Sequence, residues 1–444
     1  MNKKKKKVLV IDRNYVFKYM KSDVFDVMVV CLQEESKRRH IKDGFNVVAC
    51  FEEEYEGLPV EDIPNNYLIH SFDSDRFLCK YDWDKRQEIL GKEISFWKKV
   101  FDTYTPDCIV NEVVTIEWME VMSIEANQKG IPYYRIALLP FDREDIWIHN
   151  NPFNSRLGKD FWDGIVPNEE DYKKANDYIA LTRGDGRKPY FIKNNQQNYI
   201  TRLLKNFHYF FDANIKRLLN KKFLYEDYSK LSKQALSASL CRMFHNKYDH
   251  FEPMDGVEYL FYPIHLEPEA TIEYFSFFFN DQIMMIGRIA HSLKTNQKLI
   301  IKEHPQQRGL LMTKRFRELK KKYSNLVFLP STVSTYDIYP HIRCLVTLSG
   351  TAGFESWICK RPVIVFGEVY YRDFPNIIKC DSYKQLYDII RNDRYVIASD
   401  AEILQTVAKM YHAMEDVFPV ILKGHDFEDD CKNVTKQIEK RLEN

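Results

Sequence analysis

The sequence has 444 residues, of which 45% are hydrophobic and 14% aromatic, and its formal net charge is +1. The length and apolar content predict two or three domains with large cores, and the near-zero charge excludes a global positive field of the kind that binds nucleic acid. Nine cysteines without a CxxC pair fit reduced cytosolic thiols better than a disulfide framework or a zinc site.

Hydrophobic runs and the N-terminus bear on localisation. No apolar run approaches the roughly 20 residues that a membrane-spanning helix needs, and the start of the chain lacks the apolar segment of a signal peptide. We therefore expect a cytoplasmic protein. The lysines at residues 3–7 could add a peripheral contact with anionic lipid at the inner face of the cell membrane, although a solvated tail is the simpler explanation.

The first half of the chain opens with an alternation of strand and helix. Residues 8–11 and 46–51 are predicted as buried parallel strands separated by a helical stretch. A later predicted strand ends at Glu112, and Glu117 lies about one helical turn further along. A carboxylate at such a strand end can act as a general base or a nucleophile, so both glutamates are candidate catalytic residues. Acidic residues also favour the first turn of a helix, here predicted over residues 115–129, and that structural explanation stays open.

Residues 196–246 are predicted to be helical, with apolar side chains recurring on shared faces and basic side chains on the others. This pattern favours packing between domains with a solvated basic face. A membrane-surface or acceptor-lipid element is the alternative that the same pattern allows. A linker to a second domain is predicted over residues 247–256.

A cluster of small and hydroxyl-bearing residues follows the strand predicted over residues 345–348. Its members are Ser349, Gly350 and Thr351, with Glu355 in the first turn of the next helix. Such a loop lets backbone N–H groups and a helix N-terminus approach a phosphate closely, while Glu355 could accept hydrogen bonds from ribose hydroxyls. A plain strand-to-helix turn with an N-cap is the structural alternative.

Lys302 and His304 end another predicted strand, over residues 298–301, and Pro305 stops it. In extended geometry both side chains point to the same side. A cation and an imidazole there suit a phosphate leaving group, the lysine as a charge and the histidine as a donor or general acid. Because open α/β sheets bind ligands at the carboxyl ends of their strands, the two clusters together predict a phosphate site. The alternative is an exposed pair of Lys302 with Glu303 and a histidine that caps a turn.

Three further polar residues lie at the start of the second domain. His265 and Glu269 follow the strand predicted over residues 257–262, and Gln282 lies on the helix predicted over residues 279–292. His265 could hydrogen-bond a phosphate or a sugar carboxylate, and Glu269 could hold a base or a sugar hydroxyl. A structural histidine and a merely exposed glutamine are the alternatives.

The motifs of the second half resemble a known family. Their order is Pro263-x-His265-x-x-Pro268-Glu269, Asp281-Gln282, Lys302-Glu303-His304-Pro305, Ser349-Gly350-Thr351-Ala352-Gly353-Phe354-Glu355 and Pro362-Val363-Ile364-Val365-Phe366-Gly367. This order is similar to that of the bacterial capsule polysaccharide biosynthesis family, which includes retaining Kdo transferases of GT-B architecture. The His-Pro and Ser-rich signatures also resemble those of bacterial sialyltransferases and polysialyltransferases. The resemblance covers about residues 258–395, and before it the similarity is one of pattern.

The resemblance implies an α/β fold of two Rossmann-like domains of GT-B type facing a central cleft, with C-terminal helices crossing back. It implies an acceptor-binding domain with a helical insertion at residues 1–246, a nucleotide-sugar-binding domain at 257–395, and the returning helices at 396–444. The implied function is transfer of a sugar from a nucleotide-activated donor, with CMP-linked Kdo or sialic acid favoured, to a surface polysaccharide or lipid-linked glycan.

The resemblance also suggests roles for individual residues. The residues expected to bind the donor are His265, Glu269, Gln282, Lys302, His304, Ser349, Gly350, Thr351 and Glu355. The residues expected to act in catalysis are Glu112, Glu117 and His304.

No cofactor beyond the donor substrate and no metal are expected, because the basic side chain, the hydroxyls and the helix dipole would meet the phosphate charge. Asp73-Ser74-Asp75 has the letters of a metal-binding motif but lies in a polar loop of the first domain, so we treat it as coincidence. The expected partners are the donor and a glycan or glycolipid acceptor, with no nucleic acid.

Two other functions stay open. A teichoic-acid-like polyol-phosphate transferase would use a CDP-linked donor and histidine-based phosphate contacts on a similar fold. A degenerate transferase acting as a scaffold in capsule assembly would need no turnover, although the presence of every expected polar residue in the two phosphate clusters speaks against it.

Overall fold

The computed structural model describes residues 5–12, 15–21, 23–64, 67, 75–138, 146–149, 152–184, 199–219, 225, 228–245, 247–414 and 427–443. The chain divides into two compact units. The first comprises Met1–Ser155, Phe223–Tyr225 and Ala413–Asn444, and the second comprises Arg156–Lys222 and Glu226–His412.

Each unit is built on a six-stranded sheet. The strands of the first sheet are β1 (Lys6–Ile11), β2 (Phe25–Cys31), β3 (Val47–Cys50), β4 (Cys108–Asn111), β5 (Tyr133–Leu138) and β6 (Ile146–His149). Those of the second are β7 (Glu258–Pro263), β8 (Gln297–Lys302), β9 (Leu326–Leu329), β10 (Ile342–Thr347), β11 (Val363–Val365) and β12 (Ile378–Lys379).

Both sheets have a doubly wound strand order. The first runs β3-β2-β1-β4-β5-β6 and the second β12-β11-β10-β7-β8-β9, which is the same order read from the other edge. The described pairings are parallel apart from the antiparallel pair of β5 with β6. This order is that of dinucleotide-binding folds, so the predicted α/β class with two Rossmann-like domains is confirmed.

Helices connect the strands. They are α1 (Glu34–Lys42), α2 (Phe51–Glu54), α3 (Trp83–Tyr104), α4 (Glu117–Gln128), α5 (Lys159–Asp163), α6 (Glu169–Arg183), α7 (Tyr199–Leu219), α8 (Ser229–His245), α9 (Ala270–Glu273), α10 (Gln282–Ser292), α11 (Lys314–Lys322), α12 (Thr335–Ile338), α13 (Thr351–Ile358), α14 (Tyr383–Arg391), α15 (Asp400–Ala413) and α16 (Phe427–Glu443). Short 3₁₀ turns occur at Tyr15–Tyr19, Tyr55–Gly57, Leu78–Lys80, Phe277–Phe279, Leu310–Met312 and Tyr339–His341. Within the described ranges, no helix is both long and apolar enough to cross a membrane.

Continuous apolar runs form the central strands because both faces of a parallel sheet are covered. Val8 and Val10 in β1 are completely buried, as are Leu299 and Ile301 in β8. The sequence pattern therefore predicted β1 and β8. The prediction was wrong for β2, which lies within the stretch that was expected to be helical between residues 11 and 46.

The last helix returns to the first unit. Val434 and Ile438 of α16 are buried in the same core cluster as Val8 and Val10, and the Tyr134 hydroxyl donates to the Arg441 carbonyl at 2.9 Å. The predicted C-terminal crossing therefore applies to α16. Helix α15, which we grouped with the returning helices, lies in the second unit.

The observed division also differs from the predicted limit at residue 246, because α5 to α8 lie in the second unit. Helices α7 and α8 pack on the segment that follows β8. Arg202 of α7 donates to the Pro305 carbonyl at 3.1 Å. A Cβ on Gly309 would clash with the Ala238 carbonyl oxygen of α8. The helical periodicity of a sequence indicates which face of a helix is buried, but it does not indicate which sheet the helix packs against.

Candidate functional site

The second sheet has a topological switch point between β7 and β10. The chain leaves β7 toward β8 on one side, and leaves β10 toward β11 on the other. His265 follows β7, Ser349 follows β10, and Lys302 ends β8. The structure therefore brings the three predicted motifs to one edge of one sheet, at the position where open α/β sheets bind ligands.

His265 ties two of these loops together. Its Nε2 accepts from the Ser349 N–H at 3.2 Å and lies 3.1 Å from Thr347 Oγ1. That oxygen in turn accepts from the Gly350 N–H at 3.2 Å. Burial lowers the pKa of His265 to about 4; the hydrogen bond with Gln282 raises it and His304 lowers it further. The imidazole is therefore neutral, with its proton on Nδ1 because Nε2 is an acceptor, and its observed role is to position the loop.

Gln282 holds His265 from the other side. This buried side chain accepts from the His265 N–H at 2.8 Å and from the Tyr262 hydroxyl at 3.2 Å. Its amide nitrogen donates to the His265 carbonyl at 3.1 Å and to Glu267 at 2.6 Å. Because these four hydrogen bonds use its oxygen and both of its N–H groups, Gln282 is a structural clamp rather than an exposed helix residue.

Glu269 lies at the N-cap of α9, where its carboxylate accepts from the Thr271 hydroxyl at 2.8 Å. It is half-buried. The expectation that it holds a base or sugar hydroxyl stays a prediction.

The loop before α13 is fixed by its neighbours. The Ser349 hydroxyl donates to the Thr271 carbonyl at 2.7 Å, and the Tyr371 hydroxyl donates to the Gly350 carbonyl at 2.6 Å. A Cβ on Gly353 would lie 2.5 Å from the Tyr371 hydroxyl oxygen, so a side chain there would displace this anchor. Thr351 is exposed at the first residue of the helix. The loop thus presents a helix N-terminus and the Thr351 hydroxyl in a fixed position.

Lys302 is a buried cation at this edge. Lys302 is only 6% exposed. Among the described residues its ammonium group forms no ion pair. Burial lowers the pKa of Lys302 to about 8, an effect that Glu355 and then Glu303 oppose. A buried ammonium group without an ion-pair partner is costly, so the arrangement suits an anionic ligand.

His304 is a neutral donor beside that cation. Its Nδ1 accepts from the Gln306 N–H at 3.2 Å, which leaves the proton of the neutral ring on Nε2. Burial, then Lys302 and Arg202, lower the pKa of His304 to about 4. Glu303, between the two, is used structurally, since it accepts from the Gly309 and Leu311 N–H groups at 2.9 and 3.0 Å. The structural alternative, an exposed pair of Lys302 with Glu303, is not found among the described ion pairs, and both residues are buried.

Glu355 lies one turn into α13 and accepts from the Tyr339 hydroxyl at 2.9 Å. It is half-buried, and its charge raises the pKa of Lys302. Its expected contact with ribose hydroxyls stays a prediction.

Sequence reasoning missed two residues of this site, Arg202 and Thr347. It placed Tyr371 at the rim of the donor pocket but did not predict that its hydroxyl anchors the Gly350 carbonyl. Arg202 lowers the pKa of His304 and holds the loop after it through the Pro305 carbonyl. It lies about 100 residues earlier, on a helix assigned to the other domain, and no local signal linked the two. Thr347 is the last residue of β10 and belongs to none of the motifs.

The two glutamates of the first unit are in different environments. Glu117 is completely buried, and burial, followed by Glu93, Asp75 and Glu120, raises its pKa. A carboxyl group without solvent exposure does not reach an acceptor hydroxyl, so Glu117 is left out of the proposed reaction. Glu112 is half-buried beyond the end of β4, and its backbone carbonyl accepts from the Tyr133 hydroxyl.

The Asp-Ser-Asp sequence is only partly described, since residues 73 and 74 lie outside the described ranges. Asp75 is buried and accepts from the N–H groups of Phe77, Leu78 and Glu117 at 2.7, 2.8 and 2.9 Å. This is the environment of a structural cap. In the described parts of the chain, no three His, Cys, Asp or Glu side chains are grouped so as to hold a metal ion.

Known proteins show the following similarities. Solved structures that match this chain include Thermosulfurimonas dismutans KpsC, described as a beta Kdo 2,7 transferase, at 13% identity over 84% of this chain and 98% of that chain, with a TM-score of 0.39. The KpsC beta Kdo 2,4 transferase of the same organism matches at 14% identity over 74% of this chain and 87% of that one, with a TM-score of 0.33. UDP-GlcNAc 2-epimerase from Neisseria meningitidis matches at 12% identity over 99% and 100% of the two chains, with a TM-score of 0.26. No curated protein sequence matches significantly. Residues 195–377 match the family model described as "Capsule polysaccharide biosynthesis protein", and over this stretch the resemblance to that family is confirmed.

Proposed function

We propose that the chain is a glycosyltransferase that moves a sugar from a nucleotide-activated donor to a surface polysaccharide or a lipid-linked glycan. The observation that carries this proposal is Lys302, a buried ammonium group without an ion pair among the described residues, beside the neutral donor His304 at a switch point. The family match over residues 195–377 supports the same assignment.

In this proposal the donor phosphate binds between Lys302, the Nε2–H of His304 and the N-terminus of α13, with the Thr351 hydroxyl as a further donor. Negative charge develops on the phosphate as the bond to the sugar breaks. A fixed cation and fixed donors stabilise that charge without reorganisation. His265 and Gln282 position the loop, and we assign no metal or other cofactor to the reaction.

The acceptor is assigned to the first unit, with Glu112 as the candidate carboxylate for activating its hydroxyl. A CMP-linked donor of Kdo or sialic-acid type is the first donor to test, because the motif order resembles families that use such donors. We propose that the reaction takes place in the cytoplasm, because its proposed substrate is a nucleotide-activated donor.

A thermal-shift panel of CMP, CDP, UDP, GDP and ADP tests the proposal. A nucleotide at about 100 times its dissociation constant should stabilise the protein by roughly 2.7 kcal/mol. Lys302→Met should lose this response, while Lys298→Met, at the other end of the same strand, should keep it. Selective stabilisation by CMP supports the favoured donor. Stabilisation by UDP or GDP instead would keep the transferase but change the donor nucleotide, and stabilisation by CDP would favour the polyol-phosphate alternative. No response to any nucleotide contradicts the proposal and favours the scaffold.

A further inference from the structure

Helix α7 exposes an apolar face. Its large exposed apolar residues are Ile200 (62%), Leu204 (62%), Phe211 (56%), Ile215 (50%) and Leu218 (84%). At about 100° per residue these five positions fall within an arc of about 60°. They therefore form one continuous line along the helix, which we call the α7 stripe.

The opposite side of α7 is the packed side. Asn206 donates to Ser239 of α8 at 2.7 Å, Ala213 is buried, and Arg202 donates to the Pro305 carbonyl at 3.1 Å. These positions lie roughly opposite the α7 stripe around the helix axis. Surface helices normally turn the apolar face inward. On its packed side α7 makes its described contacts through polar and small residues. Leu203, Phe207 and Phe210 lie half-buried between the two sides, and the α7 stripe faces solvent.

Two exposed lysines form a basic flank on one side of the α7 stripe, between the stripe and the packed side of the helix. Lys205 and Lys216 are exposed, at about 120° around the helix from the centre of the stripe. Lys216 also pairs with Asp212 of the same helix at 2.9 Å. An apolar face beside exposed lysines is typical of helices that lie in the plane of an anionic bilayer, with apolar side chains among the acyl chains and ammonium groups at the headgroups.

We propose that the α7 stripe docks on the surface of an anionic lipid bilayer, with α7 parallel to the membrane plane. The basic flank favours this occupant over a second copy of the chain, whose own basic flank would be repelled. Docking does not depend on the proposed transferase reaction. If that reaction holds, Arg202 links the docked helix to the loop after His304, and the donor site lies close to a lipid-linked acceptor.

Flotation of the full chain with vesicles tests this proposal. Vesicles of phosphatidylcholine alone are compared with vesicles that also contain phosphatidylglycerol. The wild-type chain should float with the anionic vesicles, less so at high salt because the lysines are screened. Leu204→Gln with Phe211→Gln should weaken binding by at least about tenfold. Val166→Gln with Ile397→Gln, exposed apolar residues elsewhere in the second unit, should leave it unchanged.

Lys205→Gln with Lys216→Gln, which removes the positive charges without placing a carboxylate beside Asp212, should reduce flotation with the anionic vesicles specifically. Thermal midpoints of all variants should match the wild type, since every substituted side chain is exposed. Absence of wild-type flotation with anionic vesicles, or flotation that the Leu204 and Phe211 variant retains, overturns the proposal. So does sedimentation velocity that shows a wild-type dimer which this variant dissociates, because the occupant is then a second copy. No nucleotide is present, so the result is separate from that of the nucleotide panel.

Discussion

The Nε2 atom of His265 accepts a hydrogen bond from the Ser349 N–H at 3.2 Å and so joins the loop after β7 to the loop after β10. These strands are neighbours at the switch point of the second sheet. Gln282 fixes the backbone of His265 through both its N–H and its carbonyl. The position of the loop that opens α13 therefore depends on a buried histidine whose imidazole is neutral.

Replacing His265 with alanine should weaken nucleotide binding by about tenfold or more, because the Ser349 N–H loses its acceptor and the loop its anchor. His265→Gln, which returns an acceptor oxygen near the position of Nε2, should recover part of the affinity. Isothermal titration calorimetry measures both. Wild-type affinity in His265→Ala would show that this hydrogen bond does not position the loop.

Lys302 should make stability depend on pH. Its pKa is lowered to about 8 in the folded chain from 10.5. Between these values the unfolded chain binds more protons, so the stability of the wild type should rise with pH relative to Lys302→Met, by of order 3 kcal/mol in total. Below pH of about 8 the variant should be the more stable protein. Urea unfolding at several pH values gives the comparison, and parallel pH profiles would contradict a buried charged lysine.

His304 should contribute to turnover rather than to folding. His304→Ala removes the Nε2–H donor and should lower turnover by about 10²- to 10³-fold, as loss of a fixed donor to developing charge does. Gln306→Ala is the matched control, because Gln306 contacts His304 through its backbone N–H. An unchanged rate in His304→Ala, with an unchanged melting temperature, would remove His304 from the reaction.

The two glutamates of the first unit should respond differently to substitution. Glu117 has a raised pKa, so the folded chain holds its proton more tightly and the wild type loses stability as pH rises above the usual glutamate range. Glu117→Gln should therefore be more stable than the wild type at neutral and alkaline pH, with turnover retained. Glu112→Gln should lower turnover at unchanged stability. The reverse pattern would return the acceptor role to Glu117.

Metal removal should leave turnover unchanged, because Lys302, His304 and the N-terminus of α13 are proposed to meet the phosphate charge. Activity after EDTA treatment, with and without added Mg²⁺, checks this. A loss that Mg²⁺ restores would show that these groups are insufficient.

The sequence predicted the parts of the site that lie at strand ends. Strand β8 with Lys302 at its end and His304 beyond it, and β10 followed by Ser349, are local patterns of burial and turn chemistry, and the structure has both strands at these positions. The roles of His265 and Gln282 as clamps depend on contacts between segments distant in sequence. The same is true of Arg202, since a helical pattern carries no information about which loop its buried side meets. The apolar residues of α7 were predicted to pack between domains. The α7 stripe is exposed because the opposite face of the helix makes the packing contacts, through Arg202 and Asn206.

Proton uptake on nucleotide binding tests the central claim most directly. At pH 8 about half of the Lys302 side chains are unprotonated in the free protein, given a pKa of about 8, and a bound phosphate should raise that pKa. Calorimetric titration with CMP, or with whichever nucleotide binds, in two buffers of different ionisation enthalpy should show uptake of up to about half a proton by the wild type and by Lys298→Met. Lys302→Met should show weak binding without uptake. Tight binding by Lys302→Met with the same proton uptake as the wild type would show that the phosphate does not bind at Lys302.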